Sequence, residues 1–126
     1  MFSKLMKMFL YATLLLSNRY AYSYPQYNNN VPNGNMIPPT AIELGHPNGN
    51  TKLPYTPFAN AYVSNGRKWT KGLCVADSDG DGQSNGLEMG DPCCLWTSGT
   101  APQFTTDLSN PNSASSTTKR TNSTCY

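Results

Sequence analysis

A short apolar run opens the chain, and a long stretch with almost no hydrophobic period follows it. Phe9 to Leu16 (FLYATLLL) is apolar, Lys4 and Lys7 stand before or at its edge, and Ala21-Tyr22-Ser23 puts small residues at the −3 and −1 positions of a cleavage site. That layout predicts a secretory signal peptide over 1–23. The apolar core falls short of the roughly 20 residues a membrane-spanning helix needs. Asn18 and Arg19 follow it, so no membrane anchor is expected. From 24 to 60 the chain mixes Pro, Asn and Gly with isolated apolar residues, as in Val31-Pro32-Asn33-Gly34 and His46-Pro47-Asn48-Gly49. These are turn and extended signals. They predict an ordered loop laid over a small core by Tyr24, Tyr27, Ile37, Ile42 and Leu44.

Helical period comes at 57–75 (PFANAYVSNGRKWTKGLCV). Pro57 suits a first helical position, and Phe58, Tyr62 and Trp69 fall near one face. Gly66 is expected to end or kink this helix. A very short helix is predicted from Asn85, stopped at Gly90-Asp91-Pro92 because proline cannot continue it. Leu95 and Trp96 then add core surface. Residues 113–126 (SASSTTKRTNSTCY) form a Ser/Thr-rich tail ending near Cys125.

Composition changes this picture in two ways. The chain has 126 residues, enough for one domain. Cleavage after Ser23 removes Lys4, Lys7 and Arg19 and leaves six basic and seven acidic residues. The formal charge of +2 then becomes −1, which gives no footprint for nucleic acid or anionic lipid. The four cysteines, Cys74, Cys93, Cys94 and Cys125, all lie in the mature part, and an even count in a short secreted chain implies a disulfide framework. Adjacent cysteines rarely bond each other, so one of Cys93 and Cys94 is expected to take Cys74 and the other Cys125. Sequence alone leaves the choice between them open.

The densest chemistry is Asp77-Ser78-Asp79-Gly80-Asp81-Gly82-Gln83-Ser84-Asn85-Gly86-Leu87-Glu88. Counted from Asp77, oxygen-bearing side chains stand at positions 1, 3, 5, 9 and 12, with Gly at position 6, the spacing of an EF-hand calcium loop. Ca²⁺ is a hard cation that takes six to eight oxygens. Asp77, Asp79 and Asp81 are expected to turn inward, Gln83 to offer its main-chain carbonyl, Asn85 to act directly or through water, and Glu88 to close the shell. Ser84 at position 8 and the glycines of the flanks fit a lone structural loop better than a paired regulatory EF-hand. The fold expected is a small, disulfide-rich, loop-rich domain with a few short α-helices, little sheet and one EF-hand-like calcium loop.

From Tyr24 to about Asn112 the chain resembles the temptin domain family, named for a water-borne protein mating attractant of marine molluscs. The matching stretches are Tyr24-Pro25-Gln26-Tyr27, Val31-Pro32-Asn33-Gly34, Gly45-His46, Pro57-Phe58, Gly66 to Cys74, and above all DSDGDGQSNGLEMGDPCCLW from Asp77 to Trp96. The resemblance implies a secreted, cysteine-bridged protein whose family disulfide joins Cys74 to the Cys93-Cys94 region. It favours Cys74–Cys94, which leaves Cys93 for Cys125. The chain departs from the family at Pro47-Asn48-Gly49-Asn50, where a Gly-rich stretch is usual. It departs again at Ser109-Asn110-Pro111-Asn112, where a Ser-His-Pro-Gly step often stands. His46 is the single histidine and reads as a hydrogen-bonding scaffold residue.

The function expected is a secreted calcium-binding signalling or recognition protein, pheromone-like by resemblance, acting on an extracellular protein partner or receptor. The alternative is a structural component of a secreted matrix or coat. An enzyme is not expected: one histidine and bridged cysteines leave no nucleophile–base pair, and the clustered carboxylates are taken as ligands. Asn122-Ser123-Thr124 is the chain's single N-x-[ST] sequon, so Asn122 is expected to carry a glycan.

Overall fold

Three of the helices begin on a hydroxyl. Thr56, Thr70 and Ser84 each sit in extended conformation and accept a hydrogen bond from the backbone N–H three residues on, Ala59, Leu73 and Leu87, at 3.1 Å in each case. Such a cap satisfies one of the orphan donors of the first turn, and its loss typically costs about 1 kcal/mol. The computed structural model describes residues 25–39, 44–121 and 125. Its helices are α1 (Pro25–Asn28), α2 (Pro57–Ser64), α3 (Lys71–Val75) and α4 (Asn85–Glu88), with a 3-10 turn at Pro47–Gly49. Among the described residues there is no strand. The signal segment, Tyr24, Ile42 and Asn122 lie outside them.

The stretch 57–75 is two helices rather than one. Asn65 caps α2 with its N–H on the Ala61 and Val63 carbonyls, and Gly66 and Arg67 follow at φ +73° and +56°. That left-handed step turns the chain out of helix, as Gly66 predicted. Trp69 therefore leaves the face of Phe58 and Tyr62 and stands in the linker before Thr70. Its indole N–H donates to the Asp91 carboxylate at 2.8 Å. The predicted short helix is present as α4.

Val31, Ile37, Leu44, Phe58, Tyr62, Leu73 and Met89 form the core, with Ala61, Trp69 and Leu108 packed against it. Of the expected loop anchors, Ile37 and Leu44 are buried, whereas Tyr27 is half exposed. Leu95, expected in the core, is 80 % exposed. The reason is local: Cys94 has a left-handed φ of +56°, and the next two N–H groups turn onto Asp91, so the Leu95 side chain is left outside.

Two disulfides, Cys74–Cys94 and Cys93–Cys125, span Cα–Cα distances of 5.7 and 5.1 Å. This is the pairing the family resemblance favoured. The first closes the chain around the acidic loop, where α3 packs on α4. Gly86 makes that approach possible: a Cβ there would run into the Cys74 Sγ and would lie 2.6 Å from the Asp91 carbonyl oxygen. So thin a core is small for its chain, and bridges are the usual supplement.

Candidate metal centre

The loop from Asp77 to Gly82 is wound by its own carboxylates. Asp77 accepts from the N–H groups of Gly80 and Gly82 at 2.9 and 2.8 Å, Asp79 from Asp81 at 3.2 Å, and Asp81 from Gln83 at 2.7 Å. Gly82, at φ +90°, supplies the sharp bend that a side chain would resist. Winding the loop this way uses one oxygen each of Asp79 and Asp81. It brings oxygens of Asp77, Asp79 and Asp81 within 4.8 Å of one another. Glu88 stands outside this tightest trio, at the end of α4, with its side chain fully buried.

The other oxygens decide what the cluster is fit for. Asp79 Oδ2, Asp81 Oδ2 and Glu88 Oε2 are shut off from solvent and accept no hydrogen bond. A buried acceptor without a donor is costly, and a buried carboxylate more so. The electrostatics carry that cost. Burial, aided by the neighbouring Asp81, pushes Asp79 up to about 6. Burial also pushes Glu88 up to about 8, opposed by the hydrogen bond from Ser109 and reinforced by the charges of Asp79, Asp81 and Asp77. Asp77, held by the Gly82 N–H first and then by Gly80, sits below its ordinary value. Asp77, Asp79 and Asp81 thus offer hard oxygens from one glycine-bent loop, the donor chemistry that a calcium-type cation takes, and such a cation would relieve the orphaned oxygens within its reach.

The side chains of the other two predicted ligands, Gln83 and Asn85, bond within the protein. Gln83 uses its carboxamide elsewhere, donating to the Thr118 carbonyl at 2.8 Å and accepting from the Thr118 N–H at 2.9 Å. Its main-chain carbonyl remains as the oxygen assigned to the loop. Asn85 is fully buried, donates to the Leu73 carbonyl at 2.9 Å and accepts from the Ser78 N–H at 3.4 Å. The carboxamide of Asn85 thus ties the loop to α3. His46 is not drawn to the cluster: its Nδ1 lies 2.7 Å from the Leu53 carbonyl oxygen, and its ring packs against Tyr55 with centroids 4.8 Å apart and planes tilted by 43°.

Three structural roles had no sequence signal. Asp91, buried in the turn after α4, accepts from Trp69, Leu95 and Trp96 at 2.8, 3.0 and 3.2 Å. Asn33 donates to the Met89 and Phe104 carbonyls at 2.8 and 2.7 Å. Ser109 donates to Glu88 Oε1 at 2.8 Å, and its N–H meets the Glu88 carbonyl at 3.0 Å. The position of Asp91 directly before Pro92 was the nearest thing to a hint.

Comparison with known proteins supplies the family. Residues 21–113 match the family model Temptin C-terminal, most of the chain. The chain belongs to the temptin family. It is 43 % identical over 112 residues to Temptin of Aplysia californica, an alignment covering 84 % of this chain and 88 % of that one. No solved structure matches. The family match takes in the acidic loop, α4, Asp91 and three of the four cysteines, and ends on Ser113, the first residue of the Ser/Thr-rich tail.

Proposed function

We propose that the protein is a secreted, calcium-stabilised recognition protein of the pheromone-like kind that its temptin relative suggests. Kinship over most of the chain and the signal-like first 23 residues support secretion. No helix among the described residues is long and apolar enough to cross a membrane. The observation that carries the calcium reading is the set of three buried carboxylate oxygens without donors, on Asp79, Asp81 and Glu88, beside a loop of calcium-ligand spacing. Asp77, Asp79, Asp81, Glu88 and the Gln83 carbonyl would hold the ion. It would neutralise the repulsion that otherwise strains the loop. Its work here is structural, keeping the Cys74–Cys94 region rigid for a partner.

Recognition is assigned to an extracellular protein. A cavity of about 150 Å³ lies between α1, α2 and the 45–55 loop, walled by Tyr27, His46, Tyr55, Phe58 and Tyr62 with Arg67 among its lining residues. Half-exposed tyrosines around a recess of single-ring size are suited to receiving a partner's side chain. Titration of the secreted protein with Ca²⁺ by calorimetry tests the metal reading. Saturable binding on the order of 10⁻⁴ to 10⁻³ M is expected. Identical melting curves in calcium and in chelator would sink it. Partner capture from soluble secretions, against recovery from an insoluble matrix, separates signalling from the structural-coat alternative.

A further inference from the structure

The part of the Ser/Thr-rich tail that the structure describes, through Thr121, folds back onto the acidic loop at Thr118. From Asp107 the chain runs back past α4, with Thr118 buried to 5 % exposure despite the Ser/Thr-rich sequence around it. Asp107, itself at φ +52°, is the latch: its carboxylate accepts from the Thr118 hydroxyl at 2.9 Å and the Lys119 N–H at 3.1 Å. The same hydroxyl accepts from the Arg120 N–H at 3.1 Å. Arg120 then donates to the Leu87 carbonyl at 3.1 Å and the Thr106 carbonyl at 2.7 Å, with its guanidinium 4.2 Å from the centre of the Phe104 ring.

Two contacts of this segment fall on residues of the metal set. Gln83, whose carbonyl occupies loop position 7, is clamped through its side chain to both polar groups of the Thr118 peptide. Glu88 is held by Ser109 at its carboxylate and at its main-chain carbonyl, which leaves the second carboxylate oxygen as the orphan. We propose that the strap from Asp107 to Arg120 is a positioning element of the calcium site, holding Gln83 and Glu88 in ligand geometry. This rests on the calcium reading above. By linkage, whatever the strap adds to calcium affinity, calcium adds to strap closure. Thr118 and Arg120 lie beyond residues 21–113, the stretch that matches the family model.

Two measurements on the secreted full chain test it. In the first, Thr118→Val removes the hydroxyl at nearly constant shape, and Thr118→Ser restores it. Calorimetry should show calcium affinity weakened roughly two- to tenfold in the valine variant, about the worth of one net hydrogen bond, and regained in the serine variant. A role in packing alone would lower the melting temperature and leave the dissociation constant unchanged, which would overturn the proposal. In the second, the unmutated protein is digested with trypsin under non-reducing conditions in calcium and in chelator. Cleavage after Lys119 and Arg120 should slow in calcium by a larger factor than cleavage after Lys52 and Lys68, which lie in other exposed loops. Equal protection at all four positions would also overturn it. If the parent chain binds no calcium at millimolar concentration, the calcium reading itself fails. If the parent binds and the valine variant binds as tightly, the strap alone fails.

Discussion

Replacing Glu88 with glutamine should strengthen the calcium-free protein while abolishing its response to calcium. Without a cation, Glu88 keeps its proton to about pH 8 because it is buried beside three aspartates. In the unfolded chain the same group ionises near 4.5. Between those values the folded state binds more protons than the unfolded one, so calcium-free stability falls as pH rises. At about pH 7.5 the difference amounts to on the order of 4 kcal/mol. Asp79, raised to about 6, adds a smaller fall of the same sign at lower pH. Glu88→Gln removes the Glu88 part, keeps a carbonyl oxygen for the Ser109 hydroxyl, and introduces a buried NH₂ that costs about 1–2 kcal/mol. The net gain is about 2 kcal/mol, or roughly 10 °C in melting temperature for a chain of this size, shrinking to nothing near pH 5. In about 10 mM calcium the parent should gain about 1.4–2.7 kcal/mol, given a dissociation constant of about 10⁻³ to 10⁻⁴ M. The variant should gain almost none. Calorimetric scans of both proteins at several pH values, with calcium and with chelator, give all these numbers. Calcium binding to the parent should also release protons, read as a dependence of the binding heat on the buffer. A variant that is less stable than the parent at pH 8 without calcium would refute the reasoning. So would a variant that calcium stabilises as much as the parent.

Asp91→Ala should destabilise the fold by about 3–5 kcal/mol, because it strands the Trp69 indole and the Leu95 and Trp96 amides together; chemical denaturation measures it. Peptide mapping without reduction should recover Cys74 with Cys94 and Cys93 with Cys125. Replacing Cys93 and Cys125 together by serine should cost about 2–4 kcal/mol and leave the Cys74–Cys94 bridge intact, as followed by urea melts and mass measurement. Protein secreted from eukaryotic cells should shift in mobility on deglycosidase treatment, and Asn122→Gln should remove the shift.

What was legible in the sequence was local. The helix starts at Pro57 and Asn85 were legible, and Gly66 marked where 57–75 would break, whereas the short helices at Pro25–Asn28 and Lys71–Val75 were not legible. The acidic loop carried its geometry in its spacing, since alternate aspartates and a glycine at the bend must curl when their own backbone donors are in reach. In the structure, oxygens of Asp77, Asp79 and Asp81 lie within 4.8 Å of one another. The choice between Cys93 and Cys94 came from kinship, not from the residues themselves. A left-handed φ at Cys94 is what lets neighbouring cysteines turn to different partners, and it leaves Leu95 outside the core where its apolar character had suggested burial.

What was not legible shares one physical cause. Asp91 with Trp69, Asn33 with Met89 and Phe104, and Gln83 with Thr118 join positions 22 to 71 residues apart through single short polar side chains. Hydrophobic burial leaves a period, because every turn of a buried helix must place an apolar residue on one face. A polar clasp leaves none, because one residue suffices and its partner is a single distant side chain, as with Asp91 and Trp69, or a backbone group that every sequence position offers. In a domain with a thin core such clasps do the organising that apolar layers do elsewhere. The Ser/Thr-rich composition of the tail, which signals an open segment when backbone groups elsewhere are satisfied, signals docking where loop amides and carbonyls remain to be met. Thr118 between Gln83 and Asp107 is that case: a small hydroxyl residue, buried because three polar groups around it needed partners.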